Sequence, residues 1–471
     1  MLALLAGLAA ACADDGTRIT DGTAVNLDAT EVTGLRVAKR RIVDDQGRTV
    51  VLRALQHHEL QDVDYGGREV LASDYPRIAA WGFTTLRVAV SWSALEPVRG
   101  SYAADYVARL RGVLDHARAA QLGVILEWHH DLWGRCTQTA DSRNRASANG
   151  APDWTCPAEL GTGGFVHWDM FDRLYANADG LEDSYLAAWA HLLGEVGDHP
   201  ALVGVEPFNE PQGNGGTPGL ERDELYPAYR RWVPHLRAAG ARGLMFLDAP
   251  ILRNEITELH VEPLATLDAD AVFAPHLYSG WLRMYVLDSR ISPAVKAADF
   301  AAAADQATQL GLPLWNGEWG VNLLLPGALD DLATHVALED AHRIGSSYWA
   351  FQRVAVAETW ATGPQALLAA DGSPHREVLQ LLSRPYPIAT PGELVELSTE
   401  AGLHLRYLAD PDVTAPLVIF LPPSHLGATP CLEVRVDGRS VRWRYTRLAD
   451  DRYALAFDSG SEVEVDATRC R

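Results

Sequence analysis

The sequence predicts an α/β fold class, a (β/α)8 TIM barrel with a C-terminal antiparallel β-sandwich domain, and three observations carry that expectation. Apolar runs of strand length alternate with helical-period segments across residues 33–384. Two of those runs end in a carboxylate, Glu210 and Glu318, where α/β barrels keep their chemistry. Past Arg384-Pro-Tyr-Pro387 the texture changes to short runs of period two joined by turn signals.

The chain opens with Met1-Leu-Ala-Leu-Leu-Ala-Gly-Leu-Ala-Ala-Ala-Cys12, apolar but too short to span a bilayer, as an export signal would be. Leu8-Ala-Ala-Ala-Cys12 resembles a bacterial lipoprotein cleavage site with Cys12 as the lipidated residue. An ordinary secretory signal cut nearby is the alternative. Residues 13–26 are polar, as a tether would be, so 1–32 are assigned to signal and tether, 33–384 to the barrel and 385–471 to the sandwich.

Leu35 to Val43, Asp44-Asp-Gln-Gly47 and Val50-Val-Leu suggest a hairpin leading into a first barrel strand at Val50–Leu55. Phe83–Val90 reads as the second strand and Leu122–His130 as the third. Between them Tyr106, Leu110, Val113, Leu114 and Ala117 mark one face of a helix over 102–121. A long loop over 131–180 interrupts the alternation. A helix carrying Tyr185, Trp189, Leu192, Leu193 and Val196 precedes the fourth strand, which runs from Ala201 and is stopped by Pro211. Gly243–Asp248, Ala271–His276, Leu312–Gly320 and Ser346–Phe351 supply strands five to eight, with helices near 223–239, 296–309 and 328–343. In the last domain, Asp437-Gly438 sits between two alternating runs as a hairpin turn.

Composition narrows function. Of 471 residues, 48% are hydrophobic and 22% charged, which excludes disorder. A formal charge of −22 argues against nucleic acid and against basic docking on anionic membranes. Setting Cys12 aside, Cys136 and Cys156 form one local couple and Cys431 and Cys470 another. Two disulfides, Cys136–Cys156 and Cys431–Cys470, are expected, suited to an oxidising exported setting. Neither couple has the short spacing of zinc ligand pairs.

Glu210 and Glu318 end strands on opposite sides of a barrel mouth and so could flank one glycosidic bond. A retaining reaction needs about 5–5.5 Å between such carboxyl groups, one as acid and then base, the other as nucleophile. Here the chain resembles the retaining glycoside hydrolases of family 5. The matching residues are Arg87, His129, Asn209-Glu210-Pro211, His276-Leu-Tyr278, Glu318 and Trp349. Within that family it most resembles the endoglycoceramidases, through Leu126-Glu-Trp-His-His-Asp131, Asp179-Gly-Leu-Glu-Asp183 followed by Trp189, and the sandwich. It departs from them at Arg53-Ala-Leu-Gln-His57 and Glu127-Trp128, rim positions that bear on glycan specificity rather than hydrolysis.

The resemblance implies Glu210 as acid/base and Glu318 as nucleophile, with no cofactor. It implies Arg87 holding Glu318 ionised, against a purely structural salt bridge, and Asn209 bonding the sugar 2-hydroxyl. Tyr278 would touch Glu318, Trp349 would floor the sugar site, and His129, Asp131 and His276 would bind sugar or orient the carboxylates. The partner is then a carbohydrate or glycolipid, and Trp281–Val286 with Val321–Pro326 would offer a ceramide an apolar landing. The alternatives are an endo-β-glucanase of the same family, a metallohydrolase using His57, His58, Glu59, His129, His130 and Asp131, and a non-catalytic carbohydrate-binding lipoprotein. Adjacent histidines on a strand point to opposite faces, which weighs against the metal site.

Overall fold

A computed structural model describes residues 30–61, 70–138, 150–161, 165–215, 218–255, 259–279, 291–353, 365–458 and 460–470. Cys12 with the signal and tether up to residue 29, and Trp281–Val286, lie outside the described residues. The chain groups into two compact units: Thr33–Asp45 with Val51–Ser383, and Gln46–Val50 with Arg384–Arg471.

The larger unit is the barrel. Its eight parallel strands are Arg53–His57, Thr85–Val90, Gly123–Trp128, Leu202–Glu206, Leu244–Leu247, Ala271–Phe273, Asn316–Trp319 and Ser346–Phe351, hydrogen-bonded in the order 7-8-1-2-3-4-5-6. Parallel bridges Phe273↔Leu314 and His276↔Glu318 join the two ends of that order and close the ring. Helices Asp74–Ala80, Ala104–Ala119, Leu181–Val196, Tyr226–Ala238, Pro293–Leu310 and Ala328–His342 return the chain between strands. Each presents buried apolar residues at helical spacing, for instance Tyr106, Leu110, Val113 and Ala117.

Many element ends shift by a few residues from the sequence reading, and four differences bear on the architecture. The first barrel strand starts at Arg53 rather than Val50, because Thr49 and Val50 pair antiparallel with Thr390 and Ala389. The fourth strand ends at Glu206, because Pro207 has no N–H to give the ladder, so Glu210 stands four residues beyond it. The stretch taken as a continuous loop contains a helix, Val166–Tyr175, buried through Met170, Phe171 and Leu174. Between strands five and six the described residues form only a 3-10 turn, Ile251–Asn254, so the strand–helix alternation is incomplete there.

The smaller unit is an antiparallel sandwich. One sheet holds Thr49–Val50, Tyr386–Thr390, Leu417–Phe420, Arg452–Phe457 and Trp443–Arg447 in that order. The other holds Gly392–Ser398, Leu403–Ala409, Glu462–Arg469, Pro430–Val436 and Arg439–Ser440. Leu403, Leu405 and Tyr407 are buried opposite Ala467, Val465 and Val463 while their neighbours are not, the alternation of a sheet with one face inward. Asp437 and Gly438 take φ of 50° and 75°, both positive, as the two-residue turn between Val436 and Arg439 requires. Both disulfides form, Cys136–Cys156 and Cys431–Cys470.

Candidate active site

Arg87, in the middle of the second barrel strand, is fully buried, and a buried guanidinium must be paired. It donates from Nη1 to Glu318 Oε2 at 2.7 Å and to Gln56 Oε1 at 2.9 Å. From Nε and Nη2 it grips both oxygens of Glu206, at 2.9 and 2.5 Å, and Nη2 also reaches Asn209 Oδ1 at 2.9 Å. Strand register explains the convergence: Gln56 lies level with Arg87, and Glu127 level with Glu206. Burial opposes the charge on Glu206, but the bidentate Arg87 outweighs it and holds that carboxyl below its usual range. Gln56 Nε2 donates in turn to Glu127 Oε1 at 2.8 Å.

Glu318 sits within the seventh strand with 5% exposure. Tyr278 donates to its Oε1 at 2.9 Å. Burial pushes the Glu318 carboxyl up, Glu210 adds to this, and His276 and Arg87 oppose it.

Glu210 is placed by a different device. Tyr185 Oη donates to the Pro207 carbonyl, and Trp189 Nε1 donates to the same oxygen at 3.2 Å, so helix Leu181–Val196 pins the chain where strand four ends. Asn209 Nδ2 donates to the His130 carbonyl at 3.2 Å, which leaves its second N–H for a ligand. Glu210 itself takes φ of 44°, a left-handed conformation that a side-chain-bearing residue adopts at a cost of about 1 kcal/mol or more. Its Oε1 lies 3.0 Å from His276 Nδ1. Single side-chain atoms of Glu210, His276 and Glu318 all fall within 4.8 Å of one another. That is the close separation of a double displacement, since an inverting pair stands about 6.5–9.5 Å apart to admit a water.

A second cluster adjoins the first. His129 Nδ1 lies 2.8 Å from Glu127 Oε1 and its Nε2 lies 3.3 Å from Asp131 Oδ1. Burial opposes charge on His129, but Glu127 and Asp131 override it and raise the imidazole to about 10. The His129 ring stacks on Trp349 at 5.3 Å. Trp349 packs with Tyr278 and Ala350, and Leu325 leans on the same group.

The residues weighed as metal ligands do not converge. His57 bonds Tyr75 Oη at 3.0 Å, with burial lowering its imidazole to about 4. His130 turns away from His129 into Phe171 and Phe208, where burial lowers it to about 3. Glu59 Oε2 accepts from the Val70 amide at 3.2 Å. Among the described residues the groups close enough for a metal are Glu206–Asp248–His276, Glu210–His276–Glu318 and His404–Glu464–Asp466, which include none of those six. In the first group Arg87 already supplies a cation, 2.5 Å from Glu206 and 3.3 Å from His276.

The sequence reading put Gln56 and Glu127 at the rim, whereas both are fully buried in the network around Arg87, and it missed Glu206 and Asp248. Each lies in or at the end of an apolar strand, and a carboxylate in a buried run is itself a signal that a cation waits nearby.

A close pair of glutamates at the mouth of an eight-stranded barrel, one within strand seven and one four residues past strand four, is the equipment of a hydrolase of glycosidic bonds. Residues 43–353 match Cellulase (glycosyl hydrolase family 5), and the chain belongs to that family. Endoglycoceramidase I of Rhodococcus hoagii (strain 103S) is 27% identical over 279 residues, 53% of this chain and 54% of that protein. A glucosylceramidase of Cryptococcus neoformans var. grubii is 30% identical over 143 residues, 26% of this chain and 18% of that one. The chain therefore spans about half of the first relative's length and less of the second's. The crystal structure of an endogalactoceramidase has a TM-score of 0.75 at 26% identity, covering 92% of this chain and 100% of its own. Endo-glycoceramidase II from Rhodococcus sp., with a cellobiose-like imidazole, has a TM-score of 0.76 at 22% identity over 92% of this chain and 100% of its own, a likeness of fold.

Proposed function

We propose that the protein is a retaining endoglycosidase that releases the glycan of a glycolipid. The observation that carries retention is the pair of carboxylates with oxygens within 4.8 Å about His276. Glu210 gives its proton to the glycosidic oxygen while Glu318 bonds the anomeric carbon and the aglycone departs. Glu210 then takes a proton from water, whose oxygen displaces Glu318 and restores the free enzyme. Arg87 and Tyr278 hold Glu318 aligned, and Asn209 presents an N–H to the sugar 2-hydroxyl. Trp349, buried against Tyr278, floors the sugar site, and His129 and Asp131 bind sugar hydroxyls at its rim.

Glycolipid as substrate is supported by the names of the relatives, endoglycoceramidase and glucosylceramidase, and by the loop after strand seven. Leu324 there is 57% exposed, and a cleft of about 830 Å³ is lined by Leu323, Leu325, Leu329 and Val378 on its apolar side and by Asp330, His375, Arg376 and Glu377 on its polar side. Leu325 also packs against the Tyr278–Trp349 group, which ties this apolar surface to the sugar site. Export, with Cys12 acylated as a membrane tether, is part of this proposal and is supported by the two disulfides and the apolar residues 1–11.

Product analysis on a glycosphingolipid and on a soluble β-glucan, with Glu318→Gln as control, tests the reading. Intact oligosaccharide plus ceramide, absent with Glu318→Gln, is the expected result. Glucan fragments without ceramide release would move the substrate to polysaccharide. Turnover that survives Glu318→Gln would end the catalytic assignment.

A further inference from the structure

Asp248 follows the fifth barrel strand, is 2% exposed, and faces the acid/base side of the mouth. Its Oδ2 accepts from the Glu210 amide at 2.8 Å and lies 3.2 Å from His276 Nε2. Its Oδ1 accepts from the Ala249 amide at 2.7 Å, which fixes the carboxylate plane. Through Nδ1, the same His276 ring meets the Glu210 carboxyl at 3.0 Å. One buried carboxylate thus holds both ends of Glu210, its backbone directly and its side chain through His276. The strained φ of 44° at Glu210 needs such a hold, because an unrestrained residue would relax out of the left-handed region.

We propose that Asp248 is the positioning residue of the acid/base: it locks the Glu210 backbone and the His276 ring so that the Glu210 carboxyl faces the departing oxygen. The inference rests on Glu210 being the proton donor, and the test separates the two claims. Proton donation matters when the leaving group is an alkoxide and little when it is already a good one, whereas loss of fold or of sugar binding affects both equally. The readout is therefore kcat/KM, which covers the steps through glycosyl-enzyme formation. It is compared between a glycosphingolipid and a 2,4-dinitrophenyl glycoside of the same glycan.

Asp248→Ala should lower kcat/KM on the glycolipid by about 100-fold or more, and on the dinitrophenyl glycoside by less than about 10-fold. Asp248→Asn keeps the shape and a carbonyl acceptor for the Glu210 amide, so it should show the same selectivity, reduced in size, with an unchanged melting temperature. Glu210→Ala is the reference and should be at least as selective as Asp248→Ala. Equal losses on both substrates, or none, in the Asp248 variants beside a selective Glu210→Ala would overturn the role of Asp248 alone. A Glu210→Ala that is not selective would remove the acid/base reading and this inference with it.

Discussion

Arg87 is where a single residue decides most. It faces Glu206, Glu318 and, at 3.5 Å, Glu127 without solvent, so removing it takes a shared cation from three buried carboxylates, of which Glu206 depends on it most. Breaking such a buried pair costs about 3–5 kcal/mol. The catalytic consequence is separable through pH. In the proposed reaction Glu318 must be ionised to attack, and burial already pushes its carboxyl up, so turnover should fall as pH drops through a value above the ordinary glutamate range of about 4.3. Arg87 is one of the charges that pull that value down. Arg87→Met should therefore move the acidic limb of the kcat/KM profile to higher pH by about 1–3 units, and Arg87→Lys, which keeps the charge, by less. A limb that stays in place in a folded Arg87→Met would make Arg87 structural only. Arg87 was legible as a site residue, but the claim of Glu206 on it was not. Val-Gly-Val-Glu206 reads as strand filler until the register shows that it faces the guanidinium.

At the scale of elements, what the sequence made legible was existence and kind. Ser346–Phe351 is bounded as periodicity suggests, and Ala104–Ala119 and Ala328–His342 fall within the helices read from apolar spacing. Boundaries set by tertiary partners were not legible. Val50 looks like the start of a barrel strand, and only its ladder to Ala389 assigns it elsewhere. Helix Val166–Tyr175 carries Met170, Phe171 and Leu174 at helical spacing but was read as part of the long loop over 131–180, and its partner Phe208 lies far along the chain. The seam between strands six and seven is where element geometry meets chemistry, since His276↔Glu318 is one of its two bridges. Gly317 makes this seam close, because a Cβ there would stand 2.4 Å from the Ala274 carbonyl oxygen. Gly317→Ala should push the strands apart, costing about 1–3 kcal/mol and lowering kcat at least tenfold through a displaced Glu318. Thermal melting and kinetics on one preparation check this, and a variant with unchanged kcat would show that the seam tolerates opening.

At the scale of the whole molecule, the barrel brings Glu318 of strand seven and Glu210, four residues past strand four, together at its mouth, and the proposed roles, one attacking and the other donating, are supported by the charges around them. The charges that do this lie inside: Arg87 with Glu206, His129 with Glu127, His276 with Asp248. The net charge of −22 bears on the surface and plays no part in this arrangement. Composition excluded partners and resemblance supplied roles, but the interior network emerges only when strands two to six are placed side by side. In the proposed reaction Glu318 forms a covalent bond to the sugar. A 2-deoxy-2-fluoro glycosyl fluoride of the released glycan forms that bond faster than water breaks it, so digestion and mass spectrometry can locate the label. The expected result is one sugar per chain, on the peptide containing Glu318 and absent in Glu318→Gln. A label on another carboxylate, or active protein that hydrolyses with inversion and is never labelled, would contradict it.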